Sequence, residues 1–131
     1  MTRLVLAASA ACGACVAAYL TVVHFRGLAP VCLNSGCEIV QRSGYAELAG
    51  IPVAAMGAAT FVLLLASASA RTAAAIIGAA AVALTGIVFA AYLFYVQLAV
   101  LHTVCMWCIA SDVLLVMAAS AAALRLRPLL Q

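Results

Sequence analysis

Four long apolar runs, separated by almost the only charges in the chain, constrain this sequence more than any other feature. A helix needs about 20 apolar residues to cross the roughly 30 Å hydrocarbon core of a membrane. Leu4 to Phe25 meets that length between Arg3 and Arg26, and Ile51 to Ala70 meets it before Arg71. The runs 73–97 and 104–124 follow, the last ending at Arg125 and Arg127. Pro52 is expected in the first turn of the second span, where a missing N–H costs nothing. Hydrophobic residues make up 70% of the chain and charged ones only 7%, with a mean hydropathy of +1.33. A soluble domain carries roughly a quarter charged residues. That gap excludes a cytosolic enzyme, a disordered tail and a nucleic-acid binder; the expected surroundings are the lipid bilayer. A net charge of +3 without a basic cluster does not alter this.

The expected fold is therefore all-α. It is a polytopic membrane protein forming one domain over residues 1–131, a four-transmembrane-helix bundle with one long extracytoplasmic loop, 26–50, between helices 1 and 2. No repeat of about 20–50 residues is present, and the richness in alanine suits close helix packing in lipid. Four spans place both termini and the 71–72 turn on one side, with Arg3, Arg71, Arg125 and Arg127. Arg26 and Arg42 fall on the other, so the termini are expected in the cytoplasm of a cell (inner) membrane protein. The segment up to Phe25 has too long an apolar run for a secretory signal and no polar cleavage region, so it reads as an uncleaved span.

Six cysteines fall in three pairs, and this topology brings two pairs to the outer membrane face, where disulfides are permitted. Cys105-Met106-Trp107-Cys108 is a C-x-x-C at a helix start, with Thr103 the expected N-cap and Cys105 in the first turn. Unpaired N–H groups and the helix dipole stabilise a thiolate there. Cysteines three apart share a face and suit a reversible disulfide, although small buried thiols or half a zinc site have the same spacing. Cys32-Leu33-Asn34-Ser35-Gly36-Cys37 lies in the polar loop, where it suits either a structural staple or a shuttle pair. Two close-set pairs on one face make a thiol–disulfide relay the more economical reading. Cys12 and Cys15 lie about 12 to 17 Å from the inner face by helical rise, and read as small buried hydrophobes.

Beyond the loop pair, Glu38-Ile39-Val40-Gln41-Arg42-Ser43-Gly44-Tyr45-Ala46 leads to Gly50-Ile51-Pro52 at the second span. With the C-x-x-C opening the fourth span, this ordered set resembles the vitamin K epoxide reductase family, in its bacterial branch and stand-alone form, over essentially the whole chain. The resemblance implies a membrane oxidoreductase that couples disulfide formation to reduction of a lipid-soluble quinone: menaquinone, ubiquinone or vitamin K. It implies Cys105 and Cys108 as the redox centre, with Cys108 contacting or attacking the quinone and Cys105 exchanging with Cys37. Cys32 would face the external partner, and Ser43 would orient the loop. No metal cofactor is implied. Some bacterial members carry a thioredoxin-like domain in the same chain, so a separate thioredoxin-fold thiol oxidase is the expected partner here. Vertebrate members place a quinone-contacting tyrosine where this chain has Asp112, which favours an ordinary respiratory quinone over vitamin K epoxide.

Asp112 also stands out by itself. It shares a helix face with Cys105 and Cys108, about 12 Å into the span, where an ionisable group is expensive. It is expected either to line the quinone pocket and pass protons, or to be satisfied by Ser111, Gln97 or a tyrosine hydroxyl. His102 suits a thiolate-stabilising partner of Cys105 or an idle interfacial histidine, and His24 sits at the other outer interface. Tyr92, Tyr95 and Trp107 suit an interfacial aromatic belt or stacking on a quinone head. Glu38, Arg42 and Glu47 read as a solvated loop face. Two other functions fit the cysteine count: a soft-metal transporter of the mercury type, which would use Cys12 and Cys15, and a transmembrane thiol carrier. Metal transfer does not need the Ser43-to-Pro52 pattern, and a thiol carrier moving electrons inward would require redox cysteines reachable from the cytoplasm.

Overall fold

The computed structural model describes residues 1–131, and its elements follow the apolar runs closely. Helix α1 (Thr2–Phe25) covers the first run, and the loop after it contains a short helix α2 (Gly36–Arg42) and a 3-10 turn, Gly44–Ala46. Two-residue strands β1 (Glu47–Leu48) and β2 (Ile51–Pro52) then pair antiparallel, Leu48 opposite Ile51. The reversal between them uses Ala49 (φ 54°) and Gly50 (φ 80°). Two successive positive φ angles are what a tight two-residue hairpin demands. Helices α3 (Val53–Ser69), α4 (Ala73–Tyr95) and α5 (Met106–Leu126) complete the chain, with a π turn, Val96–Val100, extending α4.

The expectation for Pro52 needs correcting. It is the N-cap of α3 (φ −59°, ψ 133°) rather than a first-turn residue, because pairing of Ile51 with Leu48 keeps the backbone extended until Val53. The second apolar helix is shortened accordingly to 17 residues. Thr72 caps α4 by accepting the Ala75 N–H at 3.3 Å. With its first turn capped in this way, α4 can begin after the short link 71–72.

Helix α1 packs along both α3 and α5, and α4 lies on α5 and more sparsely on α3. Small residues make those approaches close. Ala10, Ala17, Ala118, Ala121 and Ala122 are buried around Leu6, Phe61 and Leu64. Gly13 lies against the Phe61 ring, and a Cβ there would run into it. Only 23 of the 131 residues are buried, and leucine, valine and isoleucine side chains cover much of the exterior. Such an outward apolar surface would aggregate in water and is satisfied in lipid. Three helical stretches, Thr2–Phe25, Ala73–Val100 and Met106–Leu129, are long and apolar enough to cross a membrane, beside the shorter apolar Val53–Ser69. The chain is an all-α membrane protein.

Arg125 locks the end of the shorter helix. Its guanidinium donates to the Ser67 carbonyl at 2.8 Å and the Ala70 carbonyl at 2.5 Å. Both acceptors lie at the C-terminus of α3, where helical carbonyls lack partners and the dipole favours a cation. Replacing Arg125 with Met is expected to destabilise the folded protein by about 1.5 kcal/mol, the worth of hydrogen bonds from a charged donor. Thermal unfolding in detergent checks this, with Arg127→Met, whose guanidinium makes no such bond, as the reference.

Candidate redox site

The C-x-x-C begins where the chain re-enters the bundle. Cys105, not Thr103, is the N-cap of α5 (φ −94°, ψ 113°), and its Sγ accepts the Cys108 N–H at 3.3 Å. The expected cap is thus displaced by two residues. The turn before it is strained, with His102 at φ 51°. That turn brings Cys105 to the first free N–H groups of the helix, so a sulphur replaces the usual hydroxyl. The two sulphurs stand 2.7 Å apart, with Cys108 Sγ directed at Cys105 Sγ. Cys105 is fully buried, and its own N–H is bonded to Gln97 Oε1 at 2.9 Å. Cys108, one turn deeper, is half-buried.

Above it, Cys32 and Cys37 form a disulfide with Cα atoms 6.2 Å apart. The pair is asymmetric: Cys32 is half-buried, while Cys37 is wholly covered. Gly36 explains the cover. A Cβ at this position would collide with the Val104 carbonyl and crowd Thr103 Oγ1, so the start of α2 rests on the segment leading into Cys105. Cys37 and Cys105 are each the next residue along from that contact. Asn34 Oδ1 accepts the Gly36 N–H at 3.1 Å, which tightens the turn.

The chain entering this loop is held at both polar groups of Val31. Its N–H donates to Tyr19 Oη at 3.0 Å, and its carbonyl accepts from Trp107 Nε1 at 2.5 Å. The two rings pack on each other with centroids 5.2 Å apart. Trp107 therefore clasps the residue before Cys32 and does not face the cavity described next. At the other end, Ser43 Oγ donates to the Val40 carbonyl at 2.7 Å, closing α2. His24 Nε2 and Glu47 Oε1, 2.8 Å apart, tie the hairpin to the end of α1. Glu47 is thus a tether as well as an exposed residue of the solvated loop face expected of it. Glu38 and Arg42 do pair on the exposed side of α2, at 3.2 Å.

Beneath the C-x-x-C lies a cavity of about 590 Å³ between α1, α3, α4 and α5, with 20 of its 28 lining residues hydrophobic. Tyr45 and Leu48 from the loop reach its edge, and Phe89 of α4 forms part of the wall. Cys108, Ser111 and Asp112 present their face of α5 to it. The Asp112 carboxyl makes no hydrogen bond to Ser111, Gln97 or a tyrosine and opens into this space. Cys105 and His102 lie outside the wall. So do Tyr92 and Tyr95, exposed on the bundle's exterior, where Tyr92 packs against Phe89 at 6.1 Å. Cys12 and Cys15 are also exposed on the outer face of α1, not buried as their depth suggested. They sit about 15 to 20 Å along the helix from its loop end.

Three contributors were not anticipated: Tyr19 as a clasp, Gly36 as a contact point and Gln97 as the anchor of Cys105. Only Gln97 carried a readable sign, since a lone amide at the end of an apolar run is costly unless bonded. Removing one arm of the clasp, with Tyr19→Phe, is expected to cost about 1 kcal/mol locally, a roughly fivefold loss of amide protection at Val31. Hydrogen exchange at that amide checks it, and Tyr92→Phe should leave it unchanged.

No curated protein matches the chain with significant similarity. The profile of the vitamin K epoxide reductase family matches residues 4–123, which take in α3 and α4, nearly all of α1 and α5, the Cys32–Cys37 and Cys105–Cys108 pairs and the cavity. By that match the chain belongs to the vitamin K epoxide reductase family, a family of membrane oxidoreductases.

Proposed function

We propose that this protein oxidises a thioredoxin-fold partner outside the cytoplasm and passes the electrons to a respiratory quinone bound in the cavity beside Cys108. The observation that carries this reading is the division between the two cysteines of the C-x-x-C. Cys105 is buried under the loop near Cys37, and Cys108 faces an apolar space large enough for a quinone ring. In this reading all four long helices cross the bilayer. Val53–Ser69 spans about 26 Å, a mismatch that local thinning accommodates. Both termini lie in the cytoplasm of the cell membrane, and the loop faces outward.

The chemistry balances as two thiol–disulfide exchanges followed by one quinone reduction. A partner thiolate attacks Cys32, the more accessible sulphur of the loop disulfide, and expels the Cys37 thiolate. The partner's second thiol then resolves the mixed disulfide and leaves Cys32 and Cys37 reduced. Cys37 attacks Cys105 of an oxidised Cys105–Cys108 pair and expels Cys108 toward the cavity. Cys32 reclaims Cys37, which re-forms the loop disulfide and leaves a Cys105–Cys108 dithiol. That dithiol gives two electrons and two protons to the quinone, forming quinol and its own disulfide. Ser43 holds the loop end in place during exchange, and His102 stays at the membrane surface. Asp112, open to the cavity one turn beyond Cys108, relays a proton to a quinone oxygen.

Cys108→Ala is expected to abolish quinone reduction by the purified protein with a dithiol donor, lowering it by a factor of roughly 10³ or more, the scale for losing a covalent participant; turnover that survives would sink the scheme. Asp112→Asn is expected to slow quinol formation about 10²-fold, the usual scale for losing a positioned proton donor. The deficit should shrink toward alkaline pH, where the Asp112 carboxyl is itself ionised and has no proton to give. A pH–rate profile matching the unsubstituted protein would remove Asp112 from the reaction.

A further inference from the structure

We infer that Gln97 is the hydrogen-bond donor that holds a quinone carbonyl beside the Cys105–Cys108 pair, an inference that rests on the quinone reading above. Gln97 is 3% exposed, one of two buried polar side chains in the protein. The other, Ser9, is spent on its own helix, donating to the Val5 carbonyl at 2.7 Å. Gln97 Oε1 accepts the Cys105 N–H, which fixes the amide's orientation: the oxygen points to the cysteine, and Nε2 is the opposite arm. That nitrogen has no partner in the protein, yet no side-chain nitrogen or oxygen is both sealed from space and unbonded. Gln97 lines the cavity, so the opening left to Nε2 is the cavity itself.

Three other polar groups on the wall are less available. Thr60 Oγ1 donates to the Met56 carbonyl and Thr85 Oγ1 to the Ala81 carbonyl, both at 3.0 Å, so their hydroxyl protons are committed to their own helices. Tyr45 lies at the rim and is 41% exposed. An N–H donor in an apolar cavity needs an acceptor that arrives with the ligand, and a quinone offers two carbonyl oxygens and an apolar ring. The π turn is what aims the side chain. Its Val96 carbonyl accepts the Leu101 N–H at 2.9 Å. This widened last turn presents Gln97 inward, a common use of a π bulge at a functional site.

One amide thereby holds both partners of the electron transfer, Cys105 through its oxygen and the quinone through its nitrogen. Two electrons enter the ring as the S–S bond forms, the two S–H bonds break and two O–H bonds form. Charge gathers on the quinone oxygens during that step, so the bond from Nε2 strengthens toward the transition state. Gln97 gives up no proton; it orients the ring and draws charge onto the oxygen it holds.

The test uses two variants. At a pH alkaline enough to ionise the introduced carboxyl, Gln97→Glu keeps an acceptor for the Cys105 N–H and removes the donor, whereas Gln97→Leu removes both. The probe is a short-chain menaquinone labelled with ¹³C at its carbonyls, bound to the oxidised full-length protein, with a short-chain ubiquinone in parallel. Infrared spectra should show one carbonyl band lowered in the unsubstituted protein and restored in both variants. The quinone KM should rise about tenfold in Gln97→Glu, the scale of one hydrogen bond made away from water. Only Gln97→Leu should also slow exchange between Cys37 and Cys105. A lowered band that persists in both variants assigns the bond to another donor, such as Ser111, and overturns the inference while leaving the quinone reading intact. If the unsubstituted protein reduces neither quinone, the quinone reading fails and the inference falls with it.

Discussion

A chain that reverses near a membrane surface frees backbone groups that lipid cannot satisfy, and nearly everything at this site depends on how that demand is met between α4 and α5. Gln97 meets it twice. Its main-chain carbonyl accepts the Thr103 N–H at 3.0 Å, and its side-chain oxygen accepts the Cys105 N–H. The first of these bonds, from position 103 back to position 97, closes the reversal itself. Cys105 is left as the first cap of the next helix, buried and fixed, with Cys108 one turn below it. The placement of the C-x-x-C is in this sense a by-product of closing a turn without water.

Around that turn the Cys105–Cys108 and Cys32–Cys37 pairs have different degrees of freedom. The C-x-x-C is set at the start of a long helix packed on two neighbours. The loop pair joins Cys32 to a short helix, and this segment's hold on the bundle comes from the Gly36 contact, the Val31 clasp and the His24–Glu47 tie. Exposure follows the same gradient: Cys32 half-buried, Cys37 and Cys105 covered, and Cys108 facing the cavity. In the proposed relay, exchange between the covered Cys37 and Cys105 takes place away from water, which protects a mixed disulfide from stray thiols. Cys108, where the proposal puts quinone reduction, borders an apolar space that a lipid-soluble ring can enter.

Much of this was legible in the sequence because apolar runs and scarce charges mark helix ends well in lipid. Leu4–Phe25 became Thr2–Phe25, and the run from 104 to 124 became Met106–Leu126. The cysteine spacing and the Gly50-Ile51-Pro52 step pointed to the family that the profile match establishes. What spacing could not supply was anything decided by tertiary contact. Thr103 is the better N-cap by residue type, but the left-handed His102 ahead of it moves the cap to Cys105. Trp107 has the chemistry of a stacking ring or a belt residue, yet the distant Val31 carbonyl claims its N–H. Glycine at 36 reads as a turn former until the Val104 carbonyl is placed against it. Cys12 and Cys15 looked buried by depth alone, and depth does not say which face of α1 meets lipid.

The central claim is that four cysteines in two connected pairs empty into one quinone site. The most direct test mixes fully reduced protein anaerobically with excess quinone in the absence of any donor and counts the quinol formed. The account predicts two equivalents per chain: a fast one from Cys105 and Cys108, then a slower one as Cys32 and Cys37 pass their electrons on. Both disulfides should be recovered by mapping, with Cys12 and Cys15 still reduced. A single equivalent, with the loop thiols still reduced, would contradict the relay, and no quinol at all would contradict the site.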